Sequence, residues 1–233
     1  MGQALNLWDS FGLAQFDLGP GNFCEDARGR WYLNVTVKVP KPAPGTAGRA
    51  VGIDLGLQDF CATSDGQKIE AHRFYRDLEP ALAVAQRARK KQRVKALHAR
   101  VANRRKDALH QFSTTLVREY GAIFVGNVNA SALARTGMAK SVLDAGWSAF
   151  RTMLQYKCAD AGVWFDEVNE AFSTQTCSCC KRRTGPKGLE GLGIREWTCA
   201  ACGASHHRDT NAAMNILAAG HGRRAGGMPA LSR

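Results

Sequence analysis

Val51-Gly-Ile-Asp-Leu-Gly56 is followed by Asp59-Phe-Cys-Ala-Thr63 and Lys68-Ile-Glu-Ala-His72. All three segments are short, and turns bearing glycine lie between them, so they read as three adjacent strands. Downstream, a basic helical region is expected from Leu78 to Tyr120 and a buried strand at Ala122-Ile-Phe-Val125. Helical spacing runs from about Ser141 to Ala161, Val163-Trp-Phe-Asp-Glu-Val168 reads as a strand, and a last helix spans about Asp209 to Ala219. Upstream, Trp31-Tyr-Leu-Asn-Val-Thr-Val-Lys-Val39 alternates and is β-branched, as a strand would be. Pro40 to Arg49, with three prolines and two glycines, reads as a linker.

Three strands, a helix, a strand, a helix, a strand and a helix make an α/β layout. It matches the ribonuclease H-like order, in which an acid on the first strand faces acids from later elements. Asp54 ends the first strand, and the glycines on either side would let backbone or phosphate approach it closely. Asp209 begins the last helix, where an aspartate is also an ordinary N-cap. Paired with Asp54 in this strand order, it becomes a metal-ligand candidate. Two Mg2+ ions roughly 3.5–4 Å apart can activate water and stabilise the leaving oxygen in phosphodiester hydrolysis. Fold pattern alone is a weak basis for an activity, and the acids strengthen it.

Before the last helix lie two cysteine knuckles, Cys177-Ser-Cys-Cys180 and Cys199-Ala-Ala-Cys202, with 18 residues between them. Each C-x2-C turn places two sulfurs on one side of a tetrahedron, and the gap suits a zinc ribbon, so Cys177, Cys180, Cys199 and Cys202 are expected to hold structural Zn2+. Cys179 could substitute for either neighbour, but the spacing favours Cys177 and Cys180 and leaves Cys179 as a spare thiol. Cys24, Cys61 and Cys158 have no partners at metal spacing and read as small apolar packing residues. Trp197, beside a knuckle, is expected to pack the ribbon, and the loop from Gly185 to Gly193, with Lys187, to form its tip.

The chain carries 32 Lys and Arg against 20 Asp and Glu, a net charge of +12, with a pI near 9.6. A field of that sign and size most commonly meets phosphate. Arg87, Arg89, Lys90, Lys91, Arg93, Lys95, Arg100, Arg104, Arg105 and Lys106 crowd one proline-free stretch, and Asp107 is its only acid. Ala88, Val94, Leu97 and Val101 supply an apolar stripe, so the stretch reads as a helix with a broad basic face for nucleic acid. No run of 18 apolar residues occurs, no secretory leader opens the chain, and Asn6 stands where a myristoylation signal needs Ser or Thr. These features imply a cytoplasmic protein with reduced cysteines and no membrane partner. Trp147, Trp164 and Phe165 read as core; His72, His98 and His110 lack ligand spacing.

Gly52-Ile-Asp-Leu-Gly56, Ser173-Thr-Gln-Thr-Cys177-x-x-Cys180, Arg195-Glu-Trp-Thr-Cys199-x-x-Cys202 and Arg208-Asp-x-Asn-Ala-Ala-x-Asn-Ile216 together resemble the TnpB family. These are RNA-guided nucleases of insertion sequences, related to type V CRISPR effectors and Fanzor proteins. The resemblance spans roughly residues 7 to 220. It implies a RuvC-type ribonuclease H-like domain, an inserted zinc ribbon, and Mg2+-dependent DNA cleavage directed by a guide RNA from the transposon end. In a bacterial cell such a protein would be nucleoid-associated when on DNA. Trp8-Asp-Ser-Phe-Gly-Leu and the strand around Val35 resemble the late part of the family's wedge barrel. The implied organisation is residues 1–49 wedge-like segment and linker, 50–172 and 204–220 RuvC-like domain, 173–203 ribbon, and 221–233 a flexible tail.

Two departures from the family stand out. Its second acid is usually a glutamate just after the fourth sheet strand, where this chain has Gly126 and Asn127. Glu170, in Asn169-Glu-Ala-Phe172, resembles the relocated glutamate of Fanzor and some TnpB proteins, so the expected metal-binding acids are Asp54, Glu170 and Asp209. Glu167 is the alternative, but an offset of three along a strand sends it to the opposite face. Asp144 is expected to make a helix contact with nucleic acid or backbone. The chain is also short: family members carry roughly one further domain, the recognition lobe and the first part of the barrel, before the point where it begins. The alternative to a nuclease is a truncated or catalytically dead nucleic-acid-binding remnant, or a guide-dependent repressor.

Overall fold

Val51 and Ile53 are fully buried and Leu55 nearly so, which makes their strand, β3 (Ala50–Leu55), the centre of the molecule in the computed structural model. The structure describes residues 8–9, 12–40, 48–129, 133, 135, 137–188 and 190–225. β3 pairs antiparallel with β4 (Asp59–Thr63), which pairs antiparallel with β5 (Lys68–Glu70). On its other side β3 pairs in parallel with β6 (Ala122–Gly126), followed by parallel β7 (Trp164–Val168), giving the order β5-β4-β3-β6-β7. The fold is α/β and ribonuclease H-like.

The helical region splits in two. α1 (Glu79–Arg87) and α2 (Lys91–Glu119) fold against each other over Leu82, Ala85 and Leu97, with Arg89 in the turn at φ 52°. One straight helix would leave the apolar residues of α1 in water; the turn buries them against α2. The second helical stretch likewise divides into α3 (Ala139–Ala145) and α4 (Trp147–Ala161), with Gly146 at φ 71° between them. The Lys157 ammonium on α4 donates to the His110 carbonyl, Ser113 Oγ and Thr114 Oγ1 at 2.6–2.8 Å, tying α4 to α2. Phe60, Phe112 and Phe150 form the aromatic centre of that side of the core.

The other face of the sheet carries α5 (Arg208–Ala225). Ala212 and Ala213 are fully buried, and a Cβ at Gly52 would overlap the Ala213 carbonyl and crowd the Leu217 N–H. The bare Gly52 backbone therefore admits a helix here; the approach it permits is that of α5. α5 is longer than the helical spacing indicates, so the expected tail from residue 221 is helical through Ala225, and 226–233 lie outside the described residues. The strand at 31–39 is β2 (Trp31–Val37), paired antiparallel with β1 (Leu18–Glu25), which the glycines and proline of β1 conceal in the sequence. This hairpin is largely exposed, Phe23, Trp31 and Cys24 included, so Cys24 is not a packing residue as Cys61 and Cys158 are. Most of the linker, residues 41–47, lies outside the described residues.

Candidate metal centres and nucleic-acid interface

In the ribbon, β8 (Glu196–Thr198) and β9 (Ser205–His207) form a hairpin, so the module closes at His207 rather than at 203. Cys177 Sγ lies 3.7 Å from Cys202 Sγ, and Cys180 Sγ lies 3.6 Å from Cys199 Sγ. All four sulfurs lie within 4.8 Å of one another. A tetrahedron with Zn–S bonds of about 2.3 Å has edges of about 3.8 Å, so the set fits zinc. It does not fit disulfides, whose sulfurs sit about 2.05 Å apart. The Thr184 hydroxyl donates to Cys199 Sγ at 3.1 Å and is the main cause pulling that thiol down to about 6, toward the thiolate that a metal requires. Lys181 turns the first knuckle at φ 62°. Trp197 packs on His206 with ring centroids 4.7 Å apart. His206 Nε2 is 3.0 Å from Cys177 Sγ and, with the exposed Cys179, makes a second trio of ligands that spacing alone did not reveal.

The ribbon is bolted to α5 by two asparagines. Asn211 is buried; its Nδ2 donates to the Ser173 and Thr176 carbonyls at 3.1 and 2.8 Å, and its Oδ1 accepts the Ser178 N–H at 2.9 Å. Asn215 Nδ2 donates to the same two carbonyls at 2.9 and 2.6 Å. Sequence reading saw these residues as motif positions and missed this work, because their partners are backbone atoms roughly forty residues away.

The first turn of α5 puts Asp209 beside the end of β3, where Asp54 lies half-buried. A small cleft there is lined by Asp54, Gln58, Asp59, Arg195 and Asp209. Glu170 follows β7 and lies outside the lining of this cleft, with its carboxylate over Gly126 at the end of β6. Burial, then the charges of Glu170 and Asp209, push the Asp54 carboxyl well above the ordinary range, against partial relief from Arg208 and Arg195. Burial also raises Glu170, with Arg151 opposing, and Glu170 Oε2 is buried without a hydrogen-bond partner. A Cβ at Gly126 would collide with that same oxygen. Thus the position where an acid was expected is bare because Glu170 lies across it. Asn127 Oδ1 accepts the Glu170 N–H at 3.3 Å, and Asn127 N–H donates to the Val168 carbonyl at 2.9 Å. Glu167 pairs with Arg151 at 2.9 Å on the solvent side. The three acids stand further apart than the cysteines, and no described carboxylate trio converges within 4.8 Å. Arg195, which the sequence offered only as a motif residue, donates Nη1 to both Asp209 oxygens at 2.9 Å and Nη2 to Gln58 Oε1.

Among the basic residues, Arg87, Arg89, Lys90, Lys91, Arg93, Lys95 and Arg104 are exposed, gathered on and below the α1–α2 turn. Arg105 differs: its Nη2 donates to Asp144 Oδ1 at 2.8 Å. Asp144 is buried, and its two oxygens also accept the Tyr75 N–H at 3.1 and 2.9 Å. The pair pins α2, α3 and the segment before α1, so Asp144 is a backbone contact and the Arg105 charge is already engaged.

A family model described as "Probable transposase" matches residues 33–136, and one described as "Cas12f1-like, TNB domain" matches residues 147–216. A "Putative RNA-guided DNA endonuclease" of Streptomyces pristinaespiralis is 40% identical over 210 residues, covering 84% of this chain and 51% of that protein. A relative of the same description from Escherichia coli (strain K12), InsQ, is 28% identical over 222 residues, covering 83% and 54%. "TnpB-like protein L79" of Acanthamoeba polyphaga mimivirus is 25% identical, covering 82% and 41%. The chain spans about half the length of the curated relatives it matches. Among solved structures, a chain of "Cryo-EM structure of the Cas12f1-sgRNA-target DNA complex" superposes with a TM-score of 0.55 at 16% identity, covering 80% of this chain and 53% of that one, a likeness of fold. The chain belongs to the TnpB/OrfB_IS605 family and carries a Cas12f1-like TNB domain.

Proposed function

We propose that this chain is the nuclease part of an RNA-guided DNA endonuclease, with Asp54, Glu170 and Asp209 as its catalytic acids. The observation that carries the reading is Glu170 Oε2, a buried, unpartnered carboxylate oxygen whose charge acts on Asp54 from across the sheet. Natural proteins rarely leave such an atom orphaned, and a carboxylate oxygen free to accept, beside two further acids, suits a divalent cation such as Mg2+. When bound, the cation would lower the pKa of water and stabilise the leaving oxygen of a phosphodiester.

The chain itself would contribute position and charge. β3 and α5 hold Asp54 and Asp209, while Asn127 fixes the backbone of Glu170. Arg195 neutralises Asp209 while the cation is away, and its guanidinium is of the kind that pairs with phosphate. The exposed basic turn between α1 and α2 would carry nucleic-acid backbone, while base pairing between guide RNA and target DNA would supply specificity. The zinc ribbon would keep α5 in register through Asn211 and Asn215. A second reading, a guide-dependent repressor without cleavage, is favoured by the bidentate Arg195–Asp209 contact, which already satisfies one of the three acids.

The deciding experiment is cleavage of target DNA in Mg2+, with and without RNA transcribed from the transposon end, by the wild type, Asp54→Asn and Glu170→Gln. Mg2+-dependent cleavage lost at least ~100-fold in both variants is the expected result. Salt-sensitive RNA or DNA binding with no cleavage by the wild type would establish the repressor instead.

A further inference from the structure

A cavity of about 230 Å³ opens between the β5 edge, the segment after it, and helices α2 and α3. It is separate from the acidic cleft but shares a wall with it, since Leu57 lines both. Its floor is apolar and aromatic: Phe60, Leu109 and Phe112 line it. Phe112 is stacked on Phe150 at 5.2 Å and 7°, and Phe60 meets Phe112 edge-on at 6.0 Å and 83°. These rings are therefore held rigidly before any ligand arrives. At the mouth stand three exposed residues, His72, Arg73 and Arg76. Two acids also line the cavity. Asp144 is committed to Arg105 and the Tyr75 N–H, whereas Glu70 is exposed at the mouth and can accept a hydrogen bond; Ser141 Oγ accepts a long one from Arg76 Nη2 at 3.5 Å and keeps a second lone pair and its own proton.

An aromatic floor calls for a flat, weakly polar ring, and a cationic mouth calls for an anion attached to it. The combination describes a nucleotide. The volume lies below that of drug-sized sites, on the scale of one ring system. We infer that this cavity seats one unstacked nucleobase of a single strand, with Arg73 and Arg76 on its phosphate, and so anchors the strand next to the acidic cleft. Base–aromatic stacking tolerates any base, whereas Glu70 and Ser141 would favour bases that present an exocyclic amine. The inference rests on the nucleic-acid reading above and adds to it a place, a stoichiometry of one base, and residues outside both the acids and the basic turn.

The test uses the full chain and two short oligodeoxynucleotides. One carries 2-aminopurine at alternate positions, and its fluorescence falls on stacking; the other carries 5-iodouracil for photocrosslinking. Anisotropy reports binding independently of the cavity. The wild type should quench 2-aminopurine and crosslink within the tryptic peptide Asp107–Arg118, which contains Phe112. Phe112→Leu keeps the apolar bulk and should abolish the quench and the crosslink while weakening binding roughly tenfold or less. The Arg73→Gln/Arg76→Gln pair, both on the surface, should weaken binding and quench together, and it carries the test should Phe112→Leu melt early. Binding at full strength without quenching, or crosslinks confined to the α1–α2 turn, would overturn the cavity proposal and leave the nucleic-acid reading standing. No binding by anisotropy would remove both.

Discussion

The Asn127 side-chain oxygen accepts the backbone N–H of Glu170 at 3.3 Å, so the residue found where an acid was expected instead holds the acid that lies there. Gly126, beside it, leaves the space that the Glu170 carboxylate fills. Gly126→Ala should therefore cost about 1–3 kcal/mol, the range of an overpacked core. Combining it with Glu170→Ala should recover much of that loss, giving a coupling energy near or above ~1 kcal/mol in a urea-denaturation double-mutant cycle. Additive effects would mean that Glu170 does not occupy the Gly126 space.

The metal-free site should be sensitive to alkali. Folding raises the Asp54 carboxyl above 3.8 and Glu170 above 4.5, so the folded chain keeps protons that the unfolded chain has released. Their stabilising contribution is complete below those values and is lost as pH rises through the raised folded-state values. Without divalent metal, Asp54→Asn should melt higher than wild type at pH 8, and the gap should close toward pH 4. Added Mg2+ should raise the wild-type melting temperature more at pH 8 than at pH 5, because protons and cation compete for the same oxygens. Parallel melting curves for wild type and Asp54→Asn across this range would contradict the grouping of the three acids.

Chelation should act at a distance. Removing zinc, or substituting Cys199→Ser, should free the ribbon from its knuckle geometry and lower the melting temperature, with one zinc per chain lost by elemental analysis. Asn211→Ala leaves the zinc ligands untouched, yet it strips the Ser178 N–H of its acceptor and leaves the Ser173 and Thr176 carbonyls to Asn215 alone. A loss of about 1–3 kcal/mol is expected with zinc content unchanged.

Basic residues that look alike in sequence should divide by experiment. Lys91→Gln/Arg93→Gln/Lys95→Gln should leave stability within about 0.5 kcal/mol and reduce the slope of log binding constant against log salt by as much as ~3. Arg105→Gln should do the reverse. It strands the buried Asp144 charge, at a cost of about 3 kcal/mol, while the salt slope of DNA binding stays close to that of wild type. A stable Arg105→Gln variant with weakened binding would return this residue to the interface.

Much of this protein is legible in one dimension. The strands and the four cysteines are carried by local spacing, which also marks Asp54 and Asp209 as candidates, because alternation and a C-x2-C turn constrain geometry within a few residues. The hairpin partner β1 was not legible, since Gly19, Pro20 and Gly21 mask a strand that its pairing with β2 creates. Neither were the turn at Arg89, the pin between Arg105 and Asp144, or the bolts from Asn211 and Asn215 to the ribbon. The turn follows from the burial of α1 on α2, and in the pin and the bolts a polar or charged side chain meets a partner tens of residues away; both depend on burial, which spacing does not encode. The choice of Glu170 over Glu167 shows both sides. Strand alternation separates their faces in sequence, but only the fold lays Glu170 over Gly126, leaves its carboxylate oxygen without a partner, and brings its charge to bear on Asp54.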